Sequence, residues 1–182
     1  SVYCEYIKSG NDTFECSSKG RNGYVITRQQ NGNYLLDCNG NGTETYNSAG
    51  KLIKITDKQG FETNISYSEN LITVTDSVTG RSLYLQSDST DKIIRVYDSE
   101  GRQTVLSYEN DYLISISDAN NNTIYYTYDE NGRLATGTDA NDAGYFENTY
   151  DSNGRISTQC DGVHPVTSFT YGENGNRTVT DR

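Results

Sequence analysis

The sequence predicts an all-β fold, an elongated or spiralling antiparallel sheet built from stacked β-hairpins. Short apolar runs ending in aspartate recur from Asp57 to Asp181, 124 residues in six steps, a period of about 21. Residues that form turns are abundant: the chain has 17 Gly, many Asn, Asp, Ser and Thr, and one Pro. No window repeats apolar residues at helical spacing, so we predict no helix.

The first element of each repeat is a strand that ends at the aspartate. Alternation with a period of two places Ile53 and Ile55 on one face of such a strand and Lys54 on the other. We therefore expect each strand to have a buried side and a wet side. Four runs share this plan: LIKITD, LITVTD, IIRVYD and LISISD, ending at Asp57, Asp76, Asp98 and Asp118. The pattern decays but continues in LATGTD, ISTQCD and NRTVTD, ending at Asp139, Asp161 and Asp181.

A tight turn follows each aspartate, as in DKQG, DSVTG, DSEG and DANN. A short carboxylate can accept hydrogen bonds from backbone amides two residues on, and Gly or Asn tolerates the positive φ that closes the turn. The aspartate and the glycine are therefore interpreted as turn residues. Catalysis is a weaker explanation, since an enzyme needs one site and not several copies.

The second strand of each repeat returns to a tyrosine. Most of these tyrosines lie 10 or 11 residues after an aspartate, whereas Tyr84 lies 8 after Asp76, and Tyr46 starts the series. We expect each ring to stack on the equivalent ring of the next repeat, and the Arg of YDENGR to cover that ring or pair with Asp. The regular members are Tyr67, Tyr108, Tyr128, Tyr150 and Tyr171.

Charge and composition exclude several classes of function. The net charge of −10 and the scattered basic residues argue against nucleic acid as a partner. No apolar run is long enough to span a bilayer, and the first residues, SVYCEYIKSG, lack the features of a signal peptide. Because it has no initiator Met, the chain is expected to be an excised or processed piece.

Three motifs, YDENGRL at 128–134, YDSNGRI at 150–156 and YNSAGKL at 46–52, together with the Asp-ended runs, resemble the YD repeats of the RHS family. The resemblance covers residues 43–182, about seven repeats, with 1–42 as glycine-punctuated β-hairpins continuous with them. It implies a β-ribbon that forms a shell or barrel, in which bacterial polymorphic toxins can enclose a toxin domain, or part of a large surface or secreted protein. Teneurins carry a related shell. The family's self-cleaving aspartyl site has no counterpart here.

The four cysteines, Cys4, Cys16, Cys38 and Cys160, are too dispersed for a zinc site. Two disulfides stay open: Cys4–Cys16 across an N-terminal hairpin, and Cys38–Cys160 between distant repeats. We predict a structural role for these residues and no cofactor.

Two other segments invite a functional interpretation. Asp37, Asn39, Asn41 and Gly42 fit the first half of a calcium loop, but Ser48 stands where the bidentate Glu belongs, so turn chemistry explains them equally well. The single histidine, His164, precedes the single proline and is interpreted as part of a turn that ends strand pairing. We predict no metal site and no catalytic residue.

The function predicted from the sequence is a non-enzymatic structural segment of a secreted or cell-surface RHS-type protein, forming shell wall, stalk or filament. Its expected partners are flanking repeats of a longer chain, or copies of itself assembled head to tail. The alternative is an adhesive module that binds carbohydrate on a tyrosine-lined face. Hydrolytic activity is disfavoured, because no acid, base and nucleophile stand out from the repeat.

Overall fold

The computed structural model describes residues 5–17, 23–141, 144–161 and 166–181. These residues form 18 β-strands and no helix, so the predicted all-β fold is confirmed. Accordingly, no described segment is a helix with the length and apolarity needed to cross a bilayer. The chain divides into two compact units, Ser1–Gly101 and Arg102–Arg182. The division at residue 42 stays a prediction, since it concerns the repeat pattern and not compactness.

The first unit contains ten strands, and each pairs antiparallel with the next along the chain. This order is the simplest outcome of successive hairpins, because every strand finds its partner across one short turn. The strands are β1 Tyr6–Lys8, β2 Thr13–Cys16, β3 Tyr24–Arg28, β4 Tyr34–Cys38, β5 Gly42–Tyr46, β6 Leu52–Asp57, β7 Glu62–Tyr67, β8 Leu71–Asp76, β9 Ser82–Ser87 and β10 Ile93–Asp98.

The second unit contains eight strands with the same sequential antiparallel pairing. Bulges interrupt the register near the ends of several hairpins, as between Thr127 and Tyr128. The strands are β11 Gln103–Glu109, β12 Tyr112–Ser117, β13 Thr123–Tyr128, β14 Leu134–Asp139, β15 Gly144–Tyr150, β16 Ile156–Cys160, β17 Thr167–Tyr171 and β18 Arg177–Asp181.

The predicted contrast between a buried and a wet strand face is wrong. Ile55 is 38% exposed, whereas Lys54, on the opposite face of β6, is half-buried. Leu36, 5% exposed, is the one hydrophobic residue in the described ranges that counts as buried. Within each unit, strands contact mainly the strands before and after them in sequence, so the apolar face lacks the second layer that would bury it.

The turn chemistry predicted from the sequence is confirmed. Asp57 Oδ1 accepts hydrogen bonds from the backbone N–H of Gln59 at 2.8 Å and of Phe61 at 2.9 Å. Gly60 closes this turn with a φ of 89°, in the region that favours glycine. In the DANN turn, Asn121 takes that position with a φ of 65°, consistent with the tolerance of Asn for left-handed backbone.

Candidate functional site: an inter-repeat clamp

Four residues of the second unit connect one repeat to the next. Asp129 Oδ1 caps its turn by accepting the N–H of Asn131 and of Arg133, both at 2.9 Å. Asp129 Oδ2 accepts hydrogen bonds from Arg133 Nε and Nη2, each at 2.7 Å. The guanidinium lies 4.5 Å from the centre of the Tyr150 ring, and the Tyr150 hydroxyl donates to the Leu134 carbonyl at 2.7 Å. We call Asp129, Arg133, Leu134 and Tyr150 the inter-repeat clamp.

The next repeat forms the same clamp with Asp151, Arg155, Ile156 and Tyr171. Arg155 Nε donates to Asp151 Oδ2 at 2.8 Å, and its guanidinium lies 4.2 Å from the Tyr171 ring centre. The Tyr171 hydroxyl donates to the Ile156 carbonyl at 2.9 Å. The prediction for the arginine is therefore confirmed in both forms, since it pairs with Asp and covers a ring.

Two other repeats form the clamp with substituted residues. Lys51 places its ammonium 4.9 Å from the Tyr67 ring centre, and the Tyr67 hydroxyl donates to the Leu52 carbonyl at 2.8 Å. In the second unit, the Tyr112 ring takes the position of the cation and lies 4.6 Å from the Tyr128 ring centre. The residue just before the carbonyl acceptor therefore covers the following tyrosine, whether it is Arg, Lys or Tyr.

The predicted stacking of equivalent tyrosines is wrong for Tyr128, because its neighbour Tyr112 is not a member of that series. The prediction that Tyr84 belongs to this series is also wrong. It pairs with Thr73 in the β8–β9 ladder, whereas Tyr67 pairs with the adjacent Ile72, so Tyr84 lies on the opposite face. There its ring stacks on Tyr97 at 4.8 Å. Tyr84 lies 8 residues after Asp76, whereas the regular tyrosines lie 10 or 11 after their aspartates, so the sequence already distinguishes it from them.

The hydroxyl–carbonyl bond of the clamp was not foreseen from the sequence. In each case the tyrosine follows its acceptor residue by 15 or 16 positions. That separation was visible in the sequence, but the strand register determines which backbone carbonyl each hydroxyl reaches. The partner of this hydrogen bond is therefore determined by the pairing of strands and not by the motif alone.

The face opposite the clamp in the second unit carries hydroxyl groups. Cross-strand hydroxyl pairs share one hydrogen bond each: Ser117 with Thr123 at 2.8 Å, and Thr127 with Thr136 at 2.7 Å. Thr149 pairs with Thr158 in the same way at 2.6 Å. Such pairs stabilise adjacent strands by a few tenths of a kcal/mol each, so this face is explained by sheet formation.

Hydrogen bonds lower the pKa of three turn carboxyls of the second unit, those of Asp118, Asp129 and Asp151. For Asp129 the largest cause is the hydrogen bond from the Arg133 side chain, and for Asp151 it is the backbone N–H of Arg155. Asp118 has a lowered pKa chiefly through the Asn122 side chain. In the two arginine clamps the Asp side chains are 24% exposed, so solvent screens the ion pairs in part.

Acid is expected to destabilise the fold through these carboxyls. A group whose pKa is lower in the folded state stabilises folding above its unfolded pKa, near 3.8, and loses that effect as pH falls through the folded value. Denaturant midpoints should therefore stay constant from about pH 5 to 8 and fall below about pH 4. In the double variant Asp129→Asn, Asp151→Asn, the denaturant midpoint should fall less steeply with decreasing pH. An equally steep loss in that variant would contradict this assignment.

Removal of the clamp carboxylate should lower thermal stability. We expect Asp129→Ala to reduce Tm by about 5 °C, because two backbone donors lose their acceptor and Arg133 loses its partner. Asp129→Asn should cost less, since the amide oxygen can still cap the turn. Circular dichroism melts of the two variants test this order, and the exposed Glu130→Gln is the matched control.

The last turn of the chain offers the reverse experiment. Gly172 stands where the clamp has Asp, and the backbone turn nevertheless forms, with the Gly172 N–H donating to the Asn176 carbonyl at 2.9 Å. A Cβ at Gly172 would meet atoms of Asn176 no closer than 3.7 Å. Gly172→Asp should therefore raise Tm by a few degrees by adding a cap. An unchanged or lower Tm would contradict the capping role.

The other residues singled out in the sequence have turn roles or lie outside the described residues. Asp37 Oδ1 accepts the Gly40 N–H at 3.4 Å, and Asn41 Nδ2 donates to the Cys38 carbonyl at 3.2 Å. In the described ranges, no three His, Cys, Asp or Glu residues are arranged to hold a metal. Cys4 and His164 fall outside these ranges, and both disulfide pairings stay predictions.

Comparisons with known proteins agree with this geometry. The RHS Repeat family model matches residues 150–182, which contain the Asp151 clamp. No curated protein sequence matches the chain.

Two solved structures are similar to the chain. A crystal structure of TcdB2-TccC3-Cdc42 matches with a TM-score of 0.55 at 15% identity, over 87% of this chain and 9% of that one. A Tc holotoxin pore from Photorhabdus luminescens matches with a TM-score of 0.42 at 12% identity, over 85% of this chain and 13% of that one. This chain therefore spans only a small part of either protein, and the first likeness indicates a shared fold.

The family match covers part of the second unit, whereas the clamp occurs in both units. Residues 150–182 match the RHS Repeat family, and the repeats before them form the clamp with Arg133 or, in the first unit, with Lys51 in its place.

Proposed function

We propose that the chain is a non-enzymatic structural segment of a secreted or cell-surface RHS-type protein, in which it forms shell wall, stalk or filament. The observation that carries this proposal is the recurrence of the clamp. Asp129, Arg133 and Tyr150 are residue types that active sites often use, yet here they cap a turn, cover a ring and bond a carbonyl. Because these side chains are engaged in holding one repeat against the next, they favour a structural role over a catalytic one.

A whole-repeat duplication tests the structural role. A second copy of residues 129–150 inserted after Tyr150 reproduces one complete clamp, so the longer chain should keep its strand content per residue and its Tm. The control is the same duplication without Thr138, which shifts one strand by a residue and turns its side chains to the other face. If both insertions are equally stable, the sheet is not a register-dependent wall.

The proposed partners are flanking repeats or copies of the same chain. Because strands within each unit contact mainly their sequence neighbours, an added hairpin extends the sheet without rearranging it. Head-to-tail assembly should appear in sedimentation and electron microscopy as oligomers that grow with concentration. Uniform monomers at all concentrations would contradict self-assembly, and flanking repeats would then be the proposed partners. Peptidase and glycosidase assays of the purified chain should show no turnover.

A carbohydrate-binding role is the second candidate, and one cleft of the second unit favours it. Tyr145 is 50% exposed and lines this cleft together with Asp118, Asn122 and Asn141. An exposed ring flanked by carboxylate and amide groups suits a sugar, which stacks its apolar face and bonds its hydroxyls. A glycan array should then show hits that Tyr145→Ala abolishes. An array without hits would remove this candidate.

A further inference from the structure

Asparagine followed by glycine recurs in the turns of the chain. The dipeptide suits tight turns, because both residues tolerate left-handed backbone. It is also the dipeptide in which asparagine loses its side-chain amide most readily, since glycine has no side chain to shield its backbone nitrogen. The pairs that lie wholly in the described ranges are Asn31-Gly32, Asn39-Gly40, Asn41-Gly42, Asn131-Gly132, Asn153-Gly154 and Asn174-Gly175.

A backbone carbonyl holds the glycine nitrogen in most of these turns. Gly132 N–H donates to the Asp129 carbonyl at 2.9 Å, and Gly154 N–H donates to the Asp151 carbonyl at 3.0 Å. Attack on the asparagine side chain requires that nitrogen to lose its proton, and a carbonyl oxygen is too weak a base to take it. These bonds therefore protect the asparagines. Gly32 and Gly175 donate in the same way, to the carbonyls of Gln29 and Gly172.

The Asn41-Gly42 pair is held in another way. Asn41 Nδ2 donates to the Cys38 carbonyl at 3.2 Å. Gly42 begins β5 and pairs with Asp57 in the β5–β6 ladder. Both the side-chain amide and the glycine backbone are therefore engaged, and the reaction would first have to open this end of the ladder.

The Asn39-Gly40 turn differs in its acceptor. Gly40 N–H donates to a carboxylate oxygen, Asp37 Oδ1, at 3.4 Å, and no backbone carbonyl in the described ranges accepts it. A carboxylate is a base that can take the amide proton, and a hydrogen bond that is long in the resting structure tightens as the reaction proceeds. Asn39 is exposed, so water reaches its side chain. The turn therefore holds a base at the nitrogen that this reaction uses.

We propose that Asn39 is a site of deamidation in the folded chain, with Asp37 as the general base. Asp37 takes the proton from the Gly40 nitrogen as that nitrogen bonds to Asn39 Cγ. The Cγ–Nδ2 bond then breaks, and the amide nitrogen leaves with the proton as ammonia, so a five-membered succinimide remains. One water molecule opens this ring at either carbonyl and gives aspartate or isoaspartate at position 39.

Either product changes the β4–β5 turn. Both add a negative charge two residues from Asp37, and isoaspartate also adds one atom to the main chain. The start of β5 has little room for such a shift, because even a Cβ at Gly42 would press into the Thr56 carbonyl oxygen. We therefore expect the isoaspartyl form to weaken the pairing of β4 with β5. The inference is independent of the proposed wall function, since it concerns the chemistry of one turn.

Mass spectrometry of the full natural chain tests the proposal. The folded chain is incubated in slightly alkaline buffer, digested at intervals in acid, and its peptides are examined for the gain of one mass unit. Deamidation at Asn39 should be at least about 10-fold faster than at Asn131 or Asn153. In concentrated urea the three rates should converge, because unfolding releases the glycine nitrogens from their carbonyls. Equal rates in the folded chain, or an unchanged ratio in urea, would overturn the proposal.

Two variants test the role of the carboxylate. Asp37→Asn keeps the shape of the side chain but removes the base, so it should slow deamidation at Asn39 about 10-fold, with an unchanged circular dichroism spectrum. Asp129→Asn is the matched control. Asp129 Oδ1 accepts the Asn131 N–H, whereas the Gly132 N–H donates to a backbone carbonyl, so this change should not slow deamidation at Asn131. If Asp37→Asn leaves the rate at Asn39 unchanged, Asp37 is not the base.

Discussion

Replacing Tyr150 by alanine is expected to lower the free energy of unfolding by about 3 kcal/mol. The change removes a half-buried ring, the cation–π contact with Arg133 and the hydrogen bond to the Leu134 carbonyl. It also leaves the Arg133 guanidinium without the surface that it covers. Urea denaturation followed by circular dichroism measures the loss.

Tyr145 provides the control in the same strand. It is 50% exposed, and no clamp contact involves it, so Tyr145→Ala should change the free energy of unfolding by about 0.5 kcal/mol or less. If the two alanine variants lose similar stability, residue size and not the clamp determines the effect. Tyr150→Phe separates the hydroxyl from the ring, with an expected loss of about 1 kcal/mol.

Gly42→Ala is expected to destabilise the first unit by about 3 kcal/mol. Gly42 begins β5 with a φ of 107°, which L-residues rarely adopt. A Cβ there would press into the backbone carbonyl oxygen of Thr56 on β6. Because the obstacle is backbone, relief requires separating the β5–β6 ladder, where Gly42 pairs with Asp57.

Gly40→Ala distinguishes this steric effect from backbone strain alone. Gly40 also has a positive φ, 77°, but a Cβ there would meet nothing within 4 Å. Its alanine variant should therefore lose about 1 kcal/mol, the cost of left-handed backbone for a residue with a side chain. Equal losses at the two glycines, measured by denaturant unfolding, would show that the contact with Thr56 is relieved without cost.

The repeat and its turns were predictable from the sequence because their causes are local. The Asp57 turn needs only a carboxylate, two amides and a glycine within five residues, and the sequence displays all of them. Antiparallel pairing of successive strands follows from such turns. The role of Arg133 was predictable for the same reason, since Asp129 lies four residues before it.

The burial of strand faces was not predictable, because it depends on what covers a sheet. The alternation in LIKITD indicates two different faces, but Ile55 remains 38% exposed, since neighbouring strands add breadth and not a second layer.

The pairing of each strand mainly with its sequence neighbours determines how the sheet would respond to tension. A force pulling along the polypeptide would load the hairpins in series, so ladders would peel apart one after another and not shear together. Because similar clamps recur, the resistance should be modest and nearly the same for each step. Such a sheet would act as an extensible spring that yields gradually and re-forms hairpin by hairpin when the load is released.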